Sequence, residues 1–213
     1  MYNKKEYLKK NTKGMLEVYK NMSFCDILKR AFYTIKPSQK RVKLMIIIFI
    51  MMLYPSFIII KSDSTIKILI EIIGNSNTVL MTMFGIIFTG YALFQALINR
   101  KTLEVLFLQK GKKEILFDEY NLYFFEFTII YLFVIVFNYV ISLLLTAINL
   151  GYSSLGIEFN NLIMELFKVC ISLYITIIIS LLIEIKSFII NLFQCFNLSA
   201  CSSIVEYLND SKK

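Results

Sequence analysis

The chain has 213 residues, of which 57% are hydrophobic and 18% are charged, and its formal net charge is +8. Soluble domains are about 45–50% apolar, so this composition excludes an ordinary water-soluble protein. The charged residues lie mostly between long apolar blocks, a segregation typical of chains that cross a bilayer. We therefore attribute the positive charge to membrane orientation and not to nucleic-acid binding.

The residues that most enzymes use for catalysis are scarce in this chain. Histidine is absent, which removes the commonest general base and most metal designs. The four cysteines form no C-x-x-C pair, and we interpret them as reduced thiols that pack as small hydrophobic side chains. The sequence thus predicts a non-enzymatic protein with no cofactor and no metal.

Residues 1–43 form a basic, mainly polar leader with twelve Lys or Arg against three acidic residues. This leader is too long and too charged to be the first part of a signal peptide. Ser23 and Asp26 have the S-x-x-D spacing of a helix start, and apolar residues then recur at helical intervals until Pro37. We predict an amphipathic helix over residues 24–36 on the inner membrane surface, with packing on a partner protein as the alternative.

Four apolar segments suit a hydrocarbon core of about 30 Å. The predicted spans are residues 44–60, 78–98, 127–148 and 162–183. The predicted fold class is all-α: a polytopic integral membrane protein, with a bundle of about four transmembrane helices and amphipathic interfacial helices. The domains are then a cytoplasmic leader (1–43), a transmembrane region (44–190) and a cytoplasmic tail (191–213).

The segments between the spans give further expectations. Residues 61–77 predict a short interfacial helix on the outer side, ended by the turn residues 74–77. The second span can run on through 102–109 until Gly111, and the third is expected to end at 149–154. Residues 188–208 are expected along the inner surface, with a continuous longer fourth helix as the main alternative.

The distribution of positive charge predicts the orientation. With both termini inside, twenty Lys or Arg lie on the cytoplasmic side and three on the outer side. The heavy use of Ile, Lys, Phe, Tyr and Asn is typical of an AT-rich bacterial genome. We therefore predict a multi-pass protein of the bacterial cell (inner) membrane with both termini in the cytoplasm. The basic residues expected at the membrane surface are Lys29, Arg30, Lys40, Arg41, Lys43, Arg100, Lys101, Lys110, Lys112 and Lys113.

Two polar residues stand out in or near the third span. Asn138 falls at its middle, where an amide must find a partner, and we favour a role in bridging helices over a role in lining a pore. Glu126 lies within one turn of the cytoplasmic end. We favour an interfacial carboxylate that reaches headgroup water over a gate or a proton site.

Small or polar residues form a stripe along the second span. They alternate at intervals of four and three residues, and we call them the small-residue seam: Thr78, Thr82, Gly85, Thr89, Ala92, Ala96 and Asn99. Close packing of helices in a membrane rewards small residues, whereas lipid does not. We predict that this seam packs against another helix of the chain or against a second copy.

These features are compatible with three functions. The first is an oligomeric membrane anchor, scaffold or pore-forming component that works with cytosolic partners. Its layout is similar to that of small four-span proteins in bacterial anti-phage defence and bacteriocin immunity, although no motif places the chain in a named family. The alternatives are a permease subunit of a transporter and, ranked third, an intramembrane enzyme.

Overall fold

The computed structural model describes residues 4–34, 38–98, 100–109, 115–155 and 161–210. These ranges contain seven α-helices and no strand. The helices are α1 (Lys4–Lys20), α2 (Phe24–Thr34), α3 (Gln39–Ile60), α4 (Thr65–Leu97), α5 (Arg100–Leu108), α6 (Leu116–Leu155) and α7 (Asn161–Asp210).

Four of these helices are long and apolar enough to cross a membrane. The segments are Gln39–Ile60, Thr65–Ala96, Leu116–Leu150 and Met164–Ile204. Their outward faces carry large apolar side chains such as Ile50, Met51 and Phe133, which are more than half exposed in the protomer. Lipid tails solvate such apolar faces, whereas water does not. The protein is therefore an all-helical, multi-pass membrane protein, and the predicted fold class is confirmed.

The chain forms two compact units. Unit 1 comprises Met1–Lys36, Gly85–Ile129 and Ser187–Lys213, and unit 2 comprises Pro37–Phe84 and Ile130–Lys186. Helices α4, α6 and α7 each contribute residues to both units. Because each unit has its own interior, the two are described separately.

In unit 2, helices α3 and α7 run antiparallel. The Arg41 Nε and Glu184 Oε1 atoms are 3.0 Å apart, and the Ser172 hydroxyl lies 2.9 Å from the Ser56 hydroxyl. From the first contact to the second, the residue numbers increase along α3 and decrease along α7, so the two helices are antiparallel. At 1.5 Å per residue, these two contacts are about 20 Å apart along the helices, so the pairing extends over most of α3.

In unit 2, helix α6 also packs antiparallel to α7. The Tyr131 hydroxyl donates to the Leu181 carbonyl oxygen at 2.7 Å, and the Tyr174 hydroxyl donates to Asn138 Oδ1 at 3.2 Å. Both contacts involve polar atoms. Helix α7 is thus the common partner of α3 and α6 in this unit.

Unit 1 has an aromatic interior instead. Phe124 of α6 and Phe188 of α7 are fully buried, and their rings meet edge to face with centroids 5.4 Å apart. Phe94 of α4 adds a tilted ring whose centroid is 5.0 Å from that of Phe124. Such pairs contribute about 0.5–1.5 kcal/mol beyond their buried area.

Helix α2 begins as its sequence predicts. The Ser23 hydroxyl accepts a hydrogen bond from the Asp26 backbone N–H at 3.3 Å, and the Ser23 backbone N–H donates a hydrogen bond to Asp26 Oδ2 at 3.2 Å. The side-chain hydrogen bond from Ser23 lowers the pKa of the Asp26 carboxyl. The helix extends to Thr34, and residues 35–37 lie outside the described ranges. Its predicted position on the membrane surface stays a prediction.

Helix α1 is not among the sequence predictions, although the leader contains a signal for it. Leu8, Asn11 and Met15 recur at intervals of three and four residues and are half-buried, whereas Lys9 and Lys13 are exposed. Within unit 1, the Asn11 side-chain amide donates to the Phe107 carbonyl oxygen of α5 at 3.0 Å. One face of α1 therefore packs on α5.

The predicted turn at residues 74–77 is wrong, because α4 continues through it. Ile73, Leu80 and Ile87 are buried and recur every seven residues, which places them on one face of a continuous helix. The packing of this face outweighs the weak preference of Gly, Asn and Ser for turns. Residues 65–77 are thus part of the second long helix rather than a separate interfacial helix.

The other helix ends also differ from expectation. Helix α4 stops at Leu97 and α5 begins at Arg100, so the second span does not run on as one helix. Helix α6 begins at Leu116, because Leu122, Phe124 and other side chains of the mixed stretch before residue 127 are buried in unit 1. It also continues past the expected end at 149–154.

Helix α7 is one helix from Asn161 to Asp210. The preferred expectation, a separate surface segment over 188–208, is wrong, and the continuous longer helix is confirmed. No glycine or proline occurs between residues 161 and 210, so nothing in the local sequence breaks the backbone ladder. Phe188 is buried, which gives this extension a packed face.

Two glycines of α4 provide a matched test of the packing in unit 1. A Cβ atom on Gly90 would lie 2.6 Å from Phe188 Cζ, whereas a Cβ on Gly74 would have nothing within 4 Å. Phe188 is fully buried and cannot swing aside. We expect Gly90→Ala to lower the free energy of unfolding in detergent by about 1–3 kcal/mol.

We expect Gly74→Ala to raise the same free energy by about 0.5–1 kcal/mol, because alanine is the better helix former. Equal effects of the two substitutions would contradict the close approach of α4 and α7 at Gly90.

Candidate functional site

The interior of unit 2 contains several polar side chains at positions that do not face lipid. Ser56, Asn138 and Ser172 have no exposed surface, and Thr176 is only 5% exposed. The side chains that flank Asn138, Phe137 and Tyr139, are instead 48% and 61% exposed. Unit 2 thus buries a few polar side chains within a mainly apolar interior, while large apolar side chains face outward.

Asn138 and Tyr174 form the centre of this interior. Tyr174 of α7 donates its hydroxyl hydrogen to Asn138 Oδ1 of α6 at 3.2 Å, and Ser76 of α4 lies beside the same hydroxyl. Three helices therefore meet at one phenolic oxygen. Asn138 does bridge helices, and the partner that the sequence did not identify is Tyr174.

Ser172 makes the polar contact between α7 and α3. Its hydroxyl lies 2.9 Å from Ser56 Oγ, 3.3 Å from the Met52 carbonyl oxygen and 2.8 Å from the Lys168 carbonyl oxygen. A hydroxyl donates one hydrogen bond at a time, so these acceptors are alternatives. Thr176 donates in turn to the Ser172 carbonyl oxygen at 2.7 Å.

Polar residues recur every four positions along this face of α7. We call them the α7 polar stripe: Ser172, Thr176, Ser180 and Glu184. A four-residue interval keeps side chains on one slanting face of a helix. This stripe gives little signal in the sequence, because serine and threonine are common in apolar spans, where their hydroxyls bond to the preceding turn.

Four buried polar atoms of unit 2 have no hydrogen-bond partner among the residues that the structure describes. They are Asn77 Oδ1, Asn138 Nδ2, Ser180 Oγ and Glu184 Oε2. An unpaired buried donor or acceptor costs about 1–3 kcal/mol.

One end of the α7 polar stripe carries an ion pair. The Arg41 side chain is 35% exposed and that of Glu184 is 23% exposed. Arg41 is one of the basic residues expected at the membrane surface, and it pairs with a carboxylate on the last helix; its contact with the surface stays a prediction. No local signal could identify this pair, since the two residues lie on the first and last spans.

Glu126 differs from its sequence-based interpretation. Its side chain belongs to unit 1 and is only 3% exposed, so it does not reach outward to headgroup water. Glu126 Oε2 is buried and has no partner among the described residues. The neighbouring Tyr123 and Phe127 are buried as well.

The described members of the small-residue seam do not pack on another described helix of this chain. Its described members are all exposed: Thr78, Thr82, Gly85, Thr89, Ala92 and Ala96. A Cβ on Gly85 would have nothing within 4 Å. The alternative of packing within one chain is therefore wrong for these six residues, and packing against a second copy stays a prediction. Asn99 lies outside the described residues.

The predicted surface basic residues have mixed environments. Lys29, Lys40 and Lys43 are exposed, and Lys101 lies 3.7 Å from the Glu104 carboxylate. The side chains of Arg30 and Arg100, and all of Lys110, Lys112 and Lys113, lie outside the described part of the structure. Contact of the basic set with lipid headgroups stays a prediction.

Comparison with known proteins gives no further assignment. No protein-family model matches the chain, and no curated protein and no solved structure is significantly similar to it. Cys25, Cys170 and Cys201 are exposed thiols and Cys195 is buried, all without disulfides. The candidate site therefore depends on the geometry of unit 2.

The Tyr174–Asn138 hydrogen bond can be tested against a matched tyrosine. Tyr174→Phe removes the hydroxyl that bonds Asn138 Oδ1 and leaves a buried amide without that partner. Hydrogen bonds between membrane helices average about 0.6 kcal/mol and reach about 1.7, and we expect a loss of unfolding free energy in this range. Tyr139→Phe removes an outward-facing hydroxyl and should change the value by less than about 0.3 kcal/mol. An equal effect of the two substitutions in mild-detergent unfolding would contradict the assigned contact.

Proposed function

We propose that this protein is a non-enzymatic component of the bacterial inner membrane that works as an oligomer. In this role it anchors or scaffolds cytosolic partners, or forms a pore with other copies of itself. The layout of four spans with a basic leader is similar to that of small anti-phage defence and immunity proteins, and we propose that biological setting.

The single observation that carries the proposal is the exposure of the small-residue seam. The seam forms a shallow surface along α4, because Gly85, Ala92 and its threonines have small side chains. No side chain from the described part of the chain covers this surface. Lipid tails gain little from such a surface, whereas a second helix can approach its backbone closely. A second copy of the chain is the occupant that this argument favours.

The proposed orientation has support from contacts in unit 2. Arg41 and Glu184, which the charge distribution assigns to the cytoplasmic side, pair with each other. Lys61 and Lys168, which it assigns to the outer side, both lie over the Phe57 ring, at 4.3 and 5.9 Å from the centroid. Exposed lysines on α1, such as Lys9 and Lys13, offer a basic face to an acidic cytosolic partner.

A permease subunit is the second candidate function. The observation that favours it is the polar interior of unit 2, since polar groups inside a bundle often mark the path of a substrate or an ion. Gene neighbours separate the two candidates: a nucleotide-binding ATPase favours transport, and a nuclease or nucleotide-signalling enzyme favours defence.

The oligomer is tested by adding bulk to the seam. We expect Gly85→Leu and Ala92→Leu to shift the protein from oligomer to monomer in mild detergent, because a leucine side chain separates two closely packed backbones. The fold of the protomer should be kept, since a Cβ added at Gly85 lies within 4 Å of no described residue beyond its own turn of α4. Native mass spectrometry measures the stoichiometry.

Ile86→Phe is the matched control, because Ile86 is 47% exposed on another face of α4. Its added bulk should leave the stoichiometry unchanged. If Ile86→Phe and the seam substitutions have the same effect, or if the parent protein is already a monomer in native membranes, the oligomer proposal fails.

The orientation is tested with alkaline phosphatase fusions, since this enzyme is active only outside the cytoplasm. We expect activity for a fusion after Ser154 and none for a fusion after Lys213, because the twenty-to-three charge bias places these positions on opposite sides. The reverse pattern would exclude a cytoplasmic C-terminus.

A further inference from the structure

Helix α3 indicates which part of α7 lies in the hydrocarbon core of the membrane. It consists of 22 residues, so it crosses a core of about 30 Å only with its whole length. One contact with α7 is the Arg41–Glu184 pair near the start of α3. Another is at Phe57 near its end, where the Lys168 ammonium lies 5.9 Å from the ring centroid. The part of α7 that crosses the core beside α3 is therefore close to residues 168–184.

The last part of α7 continues beyond this crossing. From Ser187 to Asp210 the helix extends for about 36 Å, and we call this part the α7 extension. Residues 168–184 already take up about 24 Å of the core thickness. Lys186, which follows them, is exposed, as is typical of a residue at the edge of the core. The α7 extension therefore lies outside the hydrocarbon core.

One face of the α7 extension is apolar and exposed. We call it the α7 outer face: Ile189, Phe193, Phe196, Ala200 and Ile204. Their intervals of four, three, four and four residues place them within an arc of about 80° around the helix. Phe188, Cys195 and Ser199 lie on another side of the same helix and are buried in unit 1. Outside lipid, a contiguous apolar patch larger than about a few hundred Å² marks an interaction site.

The absence of charge on the α7 extension limits what can cover this face. No charged residue occurs between Lys186 and Glu206. Amphipathic helices that lie in the membrane surface carry a strongly charged polar face, and charged protein partners are matched by opposite charges. Neither pattern occurs on the α7 extension. The alternation of four and three residues from Ile189 to Ala200 is instead that of a coiled-coil seam.

A second copy of the chain has the matching surface. Copies inserted in the membrane in one orientation can be related by an axis along the membrane normal, which makes their α7 extensions parallel and in register. Identical residues then face each other, as in a parallel coiled coil. We propose that the α7 outer face joins two copies of this chain outside the hydrocarbon core. This interface rests on the proposed oligomer and adds a second contact surface to the small-residue seam.

Disulfide crosslinking of the full chain in native membranes tests the interface at two neighbouring positions. In one variant, Ala200→Cys with Cys201→Ala places a thiol on the α7 outer face. In the control variant Cys201 is kept; it is also exposed but lies about 100° further around the helix. The other exposed cysteines, Cys25 and Cys170, are replaced by alanine in both variants.

The two positions differ in the distance between a residue and its own copy. On the facing sides of two packed helices, Cα atoms come within the about 4.4–6.8 Å that a disulfide requires, whereas a position about 100° away exceeds it. We expect disulfide-linked dimers to form at least about tenfold faster at position 200 than at position 201. Both residues are exposed in the protomer, so the substitutions should keep its fold.

A charge on the α7 outer face gives a second test. Phe193→Glu brings like charges together in two parallel copies, and it should lower crosslinking at position 200 at least about tenfold, to the rate at position 201. Gln194→Glu is the matched control, because Gln194 is exposed and lies about 100° further around the helix. It still offers an acceptor to the Tyr120 hydroxyl, which lies 3.2 Å from Gln194 Oε1. This control should leave crosslinking unchanged.

The outcomes separate this interface from the small-residue seam. Equal crosslinking at positions 200 and 201, or a disulfide from position 200 to a different protein, would overturn the contact between copies through α7. Equal effects of Phe193→Glu and Gln194→Glu would also overturn it. If the parent protein is then still an oligomer that Gly85→Leu dissociates, the seam proposal stands and only the α7 interface fails. A parent protein that is a monomer in native membranes would overturn both.

Discussion

Hydrogen bonds between polar side chains fix the helices of unit 2 around α7. Lipid tails are as apolar as leucine, so apolar faces alone give helices little reason to associate in a bilayer. The contacts of Tyr174 with Asn138 and of Ser172 with Ser56 supply that reason, because each pairs a polar atom that hydrocarbon cannot solvate. A shift of one residue along α7 rotates its side chains by about 100° and breaks both contacts. The register of unit 2 therefore depends on these few polar pairs.

Aromatic packing adds specificity of shape in unit 1. Phe188 of α7 packs edge to face on Phe124, and it approaches α4 so closely that only glycine fits at position 90. Large rings have few rotamers and a defined preferred geometry. Unit 1 also buries polar side chains, since the Thr102 and Ser202 hydroxyls lie 2.7 Å apart in its interior.

The sequence predicts those features that depend on local composition. The four apolar spans follow from hydrophobic length, and the start of α2 follows from the spacing of Ser23 and Asp26. The helix ends were less predictable, because residues 74–77 favour a turn locally while Ile73 and Leu80 favour a continuous packed face. The partners of Asn138 and Arg41 could not be identified, since Tyr174 and Glu184 are distant in the chain and become neighbours only when α7 packs.

Helix α4 shows why periodicity alone does not identify an interface. Two seven-residue repeats run along it: large residues, such as Leu80 and Ile87, and small ones, such as Gly85 and Ala92. Both repeats suit helix packing, and the sequence does not say which one meets a helix of the same chain. In the protomer the large residues are buried and the small ones are exposed. Burial of the large residues accounts for the packing of α4 within a single chain. The small residues are exposed, and their shallow surface suits the close approach of a helix from a separate chain.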